Sequence, residues 1–302
     1  MRYQRLDLNL LVALRVLLVE RNVTRTAQAL HMTQPAMSGI LARLREYFED
    51  PLIAQVGRRM ELTPLAESLV EPINDLLLRI DATLGTRPGF DPATSQRRFT
   101  LVASDYVLRV LMLDVLRRVH KQAPGLTVEL RYPSDASAAQ LEGGEIDLVI
   151  APKLYTSDSH SAVNLFDDSY CAVVDRDHPQ VGESIGLAQY LSLSHVMFEQ
   201  LGKPFFEAWF DRTHGEVRHV EVVVHSFGLL PALVAGTRRI ATVHARAAAL
   251  IDPALPVRRV RLDFAVPRLV EVLQWHHVRD LDPGGQWLRR AIIEQAGTLP
   301  PI

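Results

Sequence analysis

The segment spanning residues 23–44 combines helix-capping residues, a repeated apolar spacing and a polar face. Thr24 and Thr33 each stand where a hydroxyl can cap the first turn of a short helix, and Pro35 fits that turn because its missing N–H is not needed there. In the second helix, apolar residues recur at three- and four-residue spacing: Met37, Ile40, Leu41 and Leu44. The opposite face is polar, which predicts a helix-turn-helix over residues 23–42 whose second helix lies in the DNA major groove.

A basic hairpin is predicted after the helix pair. Two short alternating apolar stretches, residues 52–56 and 60–62, flank Gly57 and place two arginines at the tip. Such arginines are often only solvated, but beside a recognition helix we expect them to contact phosphates or the minor groove. Together with an amphipathic helix at residues 7–20, these elements predict a winged helix-turn-helix. The predicted DNA-binding residues are Thr24, Arg25, Thr33, Gln34, Pro35, Ala36, Ser38, Arg43, Arg58 and Arg59.

A longer helix follows, opened by Thr63 and Pro64. Apolar residues recur in it at the spacing of a coiled coil: Leu62, Ala66, Leu69, Ile73, Leu76 and Ile80. An ordinary packed helix shows the same spacing, but a linker exposed between two domains has little else to pack on, so we expect it to dimerise the chain. Pro72 predicts a kink within this helix, and the Gly- and Pro-containing residues 85–89 mark its end.

The hydrophobic period changes after residue 89. Apolar strands at residues 98–103, 126–130 and 146–151 alternate with helical stretches, the first of which runs from Ser104 and Asp105 to about residue 122. Continuous apolar strands in this order predict an α/β fold in which these strands form a parallel sheet covered on both faces. Further strands are predicted at residues 168–174, 220–224, 239–243 and 270–274, and a last helix at residues 282–295.

A ligand site is expected beyond the carboxyl ends of these strands, where helices begin. The predicted ligand-binding residues are Ser104, Asp105, Tyr106, Pro152, His225, Ser226, Phe227, Gln274, Trp275 and His276. The set is rich in aromatic and imidazole groups, which suits a planar aromatic compound with a few polar edge contacts. Because Asp105 repels carboxylates, we expect an uncharged or weakly acidic heteroaromatic or flavonoid-like ligand in preference to a simple aromatic acid.

Several of these residues also have a purely structural interpretation. Trp275 is large enough to belong to the core, His225 ends an apolar run, and Asp105 is a suitable helix cap. His276 and His277, as neighbours on a strand, would point to opposite faces and so would not share a metal ion. We therefore expect no metal site and no cofactor, only a small-molecule inducer.

Composition places further bounds on the function. The chain has 302 residues, 48% of them hydrophobic, without an apolar run long enough for a membrane span or a recognisable signal peptide. The single cysteine, Cys171, suits a reducing cytoplasm. Residues 1–65 hold nine arginines against six acidic residues, a net charge of +3, whereas the whole chain carries −2. A basic N-terminal segment followed by an acidic remainder is typical of a polyanion-binding domain joined to a domain that does not bind nucleic acid.

We do not expect an enzyme. The chain has no G-x-S-x-G elbow, P-loop, H-E-x-x-H or paired-cysteine spacing. Ser104, Asp105 and His225 include the residue types of a catalytic triad, but nothing in the sequence orders them as one. A small-molecule-binding protein or an enzyme built on the two-lobed α/β domain is the alternative; neither explains the first 87 residues.

The chain resembles the LysR-type transcriptional regulators. D-L-N-L-L at residues 7–11 and T-x-x-A-x-x-L-x-x-T-Q-P-A-x-S-x-x-x-x-R-L-R at residues 24–45 carry the resemblance in the first domain. L-x-x-G-E-I-D-L-x-I at residues 141–150, I-A-T-V at 240–243 and D-P-x-x-x-W-L-R at 282–289 resemble the branch that holds the NodD-like and NahR-like regulators. One departure is Gly39, which stands where many relatives have a longer polar or basic side chain, and this affects the expected operator sequence.

The resemblance implies a ligand-responsive transcriptional regulator that binds promoter DNA as a homotetramer, a dimer of dimers, with RNA polymerase as a further partner. Members of the family usually activate a divergent operon and repress their own gene, so the resemblance leaves both activator and repressor roles open. It implies a winged helix-turn-helix domain at residues 1–63, a linker helix at 64–88 and an effector domain at 89–302. The effector domain would resemble periplasmic binding proteins, with the inducer in the cleft between lobe I (about 90–164 and 267–302) and lobe II (about 166–266). The two crossings between the lobes are expected near residues 163–165 and 266–270.

Overall fold

The computed structural model describes residues 7–57, 59–84, 90–199, 204–215 and 218–301. The chain divides into two compact units: the first is Met1–Arg87 together with Glu142–Gly144, and the second is Pro88–Leu141 together with Glu145–Ile302. Within the described ranges, no helix has both the length and the apolar character needed to cross a bilayer.

The first unit is a helical domain with one hairpin. Its elements are α1 (Asn9–Glu20), α2 (Val23–Ala29), α3 (Gln34–Phe48), β1 (Ile53–Val56), β2 (Arg59–Leu62) and α4 (Pro64–Leu84). Leu14 and Leu17 of α1 pack with Met37 and Leu44 of α3, and all four are fully buried. The antiparallel β1–β2 pair confirms the predicted hairpin.

The caps of the helix pair agree with the sequence prediction in one case only. Thr33 caps α3 as predicted, its hydroxyl accepting a hydrogen bond from the N–H of Ala36 at 3.4 Å. The predicted cap at Thr24 is wrong, because α2 begins at Val23 and the side chain of Asn22 accepts from the N–H of Arg25 at 3.0 Å. Thr24 therefore lies within the first turn, with its side chain exposed.

The linker helix α4 finds partners within its own unit. Ala66 and Ile73, two of the predicted coiled-coil positions, are buried in the same cluster as the leucines of α1. We expected this helix to have little else to pack on, and that expectation is wrong for the part that contains Ala66 and Ile73. Leu76 remains 42% exposed, so a smaller apolar strip is left on the described part of the helix.

The second unit contains two sheets. Its strands are β3 (Arg98–Val102), β4 (Thr127–Arg131), β5 (Leu148–Pro152), β6 (Ser161–Asp168), β7 (Tyr170–Asp175), β8 (Ser184–Ile185), β9 (Ser194–Phe198), β10 (His219–Val224), β11 (Arg239–His244), β12 (Val257–Leu262) and β13 (Leu269–Trp275). One sheet has the order β4-β3-β5-β13-β6 and belongs to lobe I; the other has the order β10-β9-β11-β7-β12-β8 and belongs to lobe II.

Helices connect and cover the strands, as an α/β fold requires. They are α5 (Asp105–Val107), α6 (Leu113–Gln122), α7 (Ser137–Glu142), α8 (Leu187–Ser192), α9 (Phe205–His214), α10 (Leu230–Val234), α11 (Ala245–Ala249) and α12 (Pro283–Ala296). A π-helical segment, Leu108–Met112, joins α5 to α6. The α/β class is confirmed, as is the helix predicted from Asp105 to about residue 122.

The parallel pairing predicted for the strands at residues 98–103, 126–130 and 146–151 is confirmed, while each complete sheet is mixed. β3 runs parallel to β4 and β5, but β13 runs antiparallel to β5 and β6. In lobe II, β7 runs antiparallel to β11 and β12. The sequence reading also missed β6, β8, β9 and β12.

The chain passes between the two lobes twice. β6 ends at Asp168 and β7 begins at Tyr170, so the first crossing is at Ser169. The crossing predicted at residues 163–165 is therefore wrong, since those residues lie inside β6. The return occurs between Leu262 and Leu269, a segment that contains part of the predicted range 266–270.

Candidate functional site

The exposed face of α3 is the candidate DNA interface. Met37, Leu41 and Leu44 are buried and fix the orientation of the helix in its unit. The opposite face is exposed and carries Gln34, Pro35, Ala36, Ser38, Gly39, Ala42 and Arg43. Short polar groups near the helix N-terminus, followed by a cation one to two turns later, provide donors for base edges and for phosphates.

Two arginines near this face have structural partners. Arg45 donates from Nε to the carbonyl of Pro51 at 2.8 Å and so fixes the chain between α3 and the hairpin. Arg25 pairs with Glu20, with 2.9 Å between Nε and Oε2, yet its side chain remains 62% exposed. Arg45 therefore acts in positioning, whereas Arg25 remains accessible.

The hairpin presents a cation at its end. Val56 pairs with Arg59, and Gly57 has a φ of +64°, a conformation that glycine adopts without strain. The Arg59 side chain is exposed. Arg58, the other predicted contact, lies outside the described residues.

Two of the predicted ligand residues, Asp105 and Ser226, form a direct contact between lobe I and lobe II. Ser104 caps α5, accepting a hydrogen bond from the N–H of Val107 at 3.3 Å. The carboxylate of Asp105 accepts from the hydroxyl of Ser226 at 2.7 Å and from the N–H of Gly228 at 3.1 Å. The structure thus brings Asp105 and Ser226 together across the cleft.

A cation that the sequence reading missed stands beside this contact. Arg109 belongs to the π-helical segment, and a Cβ placed on Gly228 would lie 2.9 Å from its Nη1 atom. The guanidinium therefore packs directly against the backbone of Gly228, and a larger residue there would displace it. No local sequence signal reveals a π-helical turn, although such turns are frequent at functional sites.

Aromatic rings form the wall next to the contact. Tyr106 is buried, stacks on His244 with 3.8 Å between ring centroids, and donates a hydrogen bond from its hydroxyl to Asp168. Phe227 stacks on Phe198 at 3.6 Å and meets Tyr106 edge-on. Burial lowers the pKa of His244 to about 3, so this imidazole is neutral at physiological pH.

A buried pair of carboxyl groups lies at the junction of the lobes. Glu271 on β13 is 2% exposed, and burial, together with the charge of Asp168, raises its pKa to about 8. Burial also raises the pKa of Asp168, although its hydrogen bonds with Tyr106 and with the N–H groups of Ser169 and Arg246 oppose this. The sequence reading missed the pair; its signal was a glutamate in the centre of an apolar strand.

Gln274, Trp275 and His276 do not join the other predicted ligand residues. Because β13 is antiparallel to β5, Glu271 pairs with Pro152 at the carboxyl end of β5, and Gln274 pairs with Val149 near its beginning. The three residues therefore lie at the opposite edge of the sheet from Asp105, which corrects the prediction.

Each of the three also has a local structural partner. Gln274 forms two hydrogen bonds with the backbone of Ser157, at 3.1 and 2.6 Å. Trp275 donates from Nε1 to Asp280 at 2.6 Å, and Nδ1 of His276 accepts from the N–H of Val278 at 3.3 Å. These contacts support the structural interpretation of Trp275.

The remaining predicted residues, Pro152 and His225, lie near strand ends. Pro152 closes β5, and His225 is exposed, its ring Nδ1 lying within hydrogen-bond distance of the carbonyl of Glu199. Ser104, Asp105 and His225 thus each have a different partner: the N–H of Val107, the hydroxyl of Ser226 and the carbonyl of Glu199.

Comparisons with known proteins cover nearly the whole chain. Residues 8–67 match the family described as bacterial regulatory helix-turn-helix protein, lysR family, and residues 92–297 match the LysR substrate binding domain. Nodulation protein D 1 of Bradyrhizobium sp. (strain NC92) is 38% identical over 301 residues, which are 99% of this chain and 96% of that protein.

Two solved structures are similar over the same length. A probable transcriptional regulator, PA0477, from Pseudomonas aeruginosa aligns with a TM-score of 0.64 and 28% identity, covering 99% of each chain. Full-length CbnR in complex with its target DNA aligns with a TM-score of 0.52 and 17% identity, covering 96% of this chain and 100% of that one. At this identity the similarity supports the fold alone.

Proposed function

The chain belongs to the LysR family of bacterial helix-turn-helix regulators, and from this premise we propose that it activates transcription in response to a small planar aromatic or heteroaromatic inducer. It is a NodD-like, ligand-responsive transcriptional regulator. The observation that carries the proposal is the hydrogen-bonded contact of Asp105 with Ser226 and Gly228, because a molecule entering the cleft must compete with it.

The side chains around this contact support an aromatic ligand. Phe227 is partly exposed and offers a flat apolar surface that favours stacking, and the buried rings of Tyr106 and His244 pack behind it. The carboxylate of Asp105 disfavours a second carboxylate nearby, whereas Arg109 offers donors to a phenolic oxygen. An uncharged or weakly acidic heteroaromatic, flavonoid-like compound fits these groups better than a simple aromatic acid.

The proposed assembly is a homotetramer, a dimer of dimers, acting in the cytoplasm on promoter DNA. The division into residues 1–63, 64–88 and 89–302 assigns DNA binding, dimerisation and effector binding to successive segments. The exposed face of α3 and the partly exposed Leu76 support the first two roles. RNA polymerase is the proposed partner of the activated form.

The proposed mechanism is a coupling between the ligand cleft and the DNA-binding helices. A ligand that replaces the Asp105 contact changes how the two lobes close on each other. That change alters the spacing between paired dimers and therefore how their recognition helices fit a promoter. No catalytic step is part of this mechanism, and the separate partners of Ser104, Asp105 and His225 support that view.

Isothermal titration calorimetry of the purified full-length protein tests the ligand class. We expect flavone- and flavanone-type compounds to bind the unaltered protein and to bind Phe227→Ala at least tenfold more weakly. Phe90→Ala is the matched control, because this aromatic ring packs on Trp287 instead of at the cleft. Tight binding of benzoate or salicylate, with no binding of flavonoid-type compounds, would contradict the proposed ligand class.

A further inference from the structure

Three histidines lie together at the edge of the lobe I sheet where β13 ends. His160 directly precedes β6, while His276 and His277 directly follow β13. One ring nitrogen of each lies within 4.8 Å of those of the other two. The ring centroid of His276 lies 4.8 Å from that of His160 and 4.7 Å from that of His277.

The strand register brings these residues together. β6 and β13 are antiparallel, and Ser161 pairs with Trp275. His160 and His276 are the next residues beyond this pair, one before β6 and one after β13. The pairing of the two strands therefore makes them neighbours. The cluster is therefore built into the sheet and does not depend on the position of one long, flexible side chain.

The geometry also removes the objection that neighbouring histidines on a strand point to opposite faces. β13 ends at Trp275, and a 3₁₀ turn, His277–Arg279, begins immediately after His276. In this turn the rings of His276 and His277 are stacked, with 27° between their planes. The third ring comes from a distant part of the chain, which sequence spacing does not reveal.

We propose that His160, His276 and His277 bind one zinc ion. Zinc takes imidazole nitrogens at about 2.0–2.1 Å in tetrahedral geometry, which sets the ligand nitrogens about 3.4 Å apart. From separations of up to 4.8 Å, a shift of about 1 Å for each nitrogen, within the reach of side-chain rotation, closes the site. Three protein ligands leave the fourth position for water.

Zinc is chosen over other cations because the donors are imidazoles. Mg²⁺ and Ca²⁺ prefer oxygen ligands, whereas imidazole suits Zn²⁺ and its neighbours in the transition series. Coordination through Nε2 of His276 requires the ring proton to move to Nδ1. The hydrogen bond that Nδ1 accepts from the N–H of Val278 is then lost, and at 3.3 Å it is a long one.

The proposed ion would join the beginning of β6 to the end of β13. β6 ends just before the first crossing between the lobes, and β13 begins just after the second. The site would therefore hold the two strands together at their other ends, which are remote from the cleft. The proposal rests on the histidine geometry and is independent of the function assigned to the cleft.

The test uses untagged full-length protein that has been freed of metal with a chelator. We expect calorimetry and elemental analysis to give one zinc ion per chain, and we expect zinc to raise the unfolding temperature through its preferential binding to the folded state. His160→Gln and His277→Gln should each weaken zinc binding at least tenfold. His120→Gln, an exposed histidine on α6, is the matched control and should bind zinc like the unaltered protein.

A second measurement needs no variant. Cobalt(II) added to the metal-free protein should give the intense visible absorption of a four-coordinate nitrogen-ligated site, and zinc should abolish it. Sub-stoichiometric zinc binding, or equal affinity in the two variants and the control, would overturn the proposal. A weak, six-coordinate cobalt spectrum would overturn it as well.

Discussion

The carboxylate of Asp105 in lobe I accepts a hydrogen bond from the hydroxyl of Ser226 in lobe II, with 2.7 Å between Oδ2 and Oγ. The same oxygen accepts from the N–H of Gly228. One side chain therefore holds two backbone segments of different lobes together. Because a charged acceptor strengthens each of these bonds, their loss should be detectable.

Asp105→Ala should release the loop at Gly228. We expect faster amide hydrogen exchange in the peptide that contains Gly228, by roughly tenfold, since a hydrogen bond to a charged group contributes about 1.5–3 kcal/mol. Asp114→Ala, which removes an exposed carboxylate paired with Arg117, is the control and should leave this peptide unchanged. Equal exchange in the two variants would argue against a closed contact in solution.

Arg43→Ala should weaken DNA binding without unfolding the protein. Its side chain is exposed on α3, and the loss of one phosphate contact should reduce the slope of log affinity against log salt by about one. Gel-shift titrations at several stated salt concentrations measure both quantities. Arg117→Ala removes an arginine that is 73% exposed on α6 and should not change them. An unchanged salt dependence for Arg43→Ala would exclude this arginine from the interface.

Gly39→Ala should stabilise the first unit. A Cβ at this helical position meets nothing within 4 Å, so alanine gains its helix propensity without a clash, about 0.8–1 kcal/mol. Urea denaturation followed by far-ultraviolet circular dichroism measures the gain. Gly57→Ala is the matched contrast and should destabilise, because Gly57 has a positive φ. A loss of stability for Gly39→Ala would mean that the helix is not regular at this position.

Glu271→Gln should change how stability depends on pH. The pKa of Glu271 is raised to about 8 in the folded protein, so between its ordinary value of 4.5 and 8 the folded state holds a proton that the unfolded state has lost. This proton makes the unaltered protein lose stability as pH rises through that window, by up to about 1.4 kcal/mol per pH unit.

The glutamine variant lacks that loss. The unfolding temperature of Glu271→Gln minus that of the unaltered protein should therefore increase from pH 5 to pH 8. Above pH 8 this difference should stay constant. Glu221→Gln, at an exposed carboxylate of lobe II, should show no such gain. Parallel pH profiles for the unaltered protein and Glu271→Gln would show that Glu271 ionises normally.

The sequence predicted local features well. The periodicity of Met37, Leu41 and Leu44 sufficed for α3, because a helix buries residues that are close in the sequence. Asp105 and Ser226 were both predicted because each follows a strand and precedes a helical turn. The wrong cap at Thr24 reflects two capping residues, Asn22 and Thr24, that stand two positions apart.

Features that depend on distant pairing could not be read from the sequence. The direction of β13 is set by β5 and β6, and reversing it moves Gln274 and Trp275 to the far edge and brings Glu271 toward the cleft. Arg109 was missed for another reason, since a π-helical turn changes which face of a helix a residue occupies without a local sequence signature.

The single residue between β6 and β7 limits the motions open to the effector domain. Ser169 alone spans the first crossing, whereas residues 263–268 span the second. The lobes are therefore held closest together along the chain at Ser169, and we expect an opening motion to displace the Ser169 side least. The N–H of Ser169 donates to the carboxylate of Asp168 at 2.7 Å, which orders the backbone at this crossing, so the largest displacement is expected for the groups farthest from it.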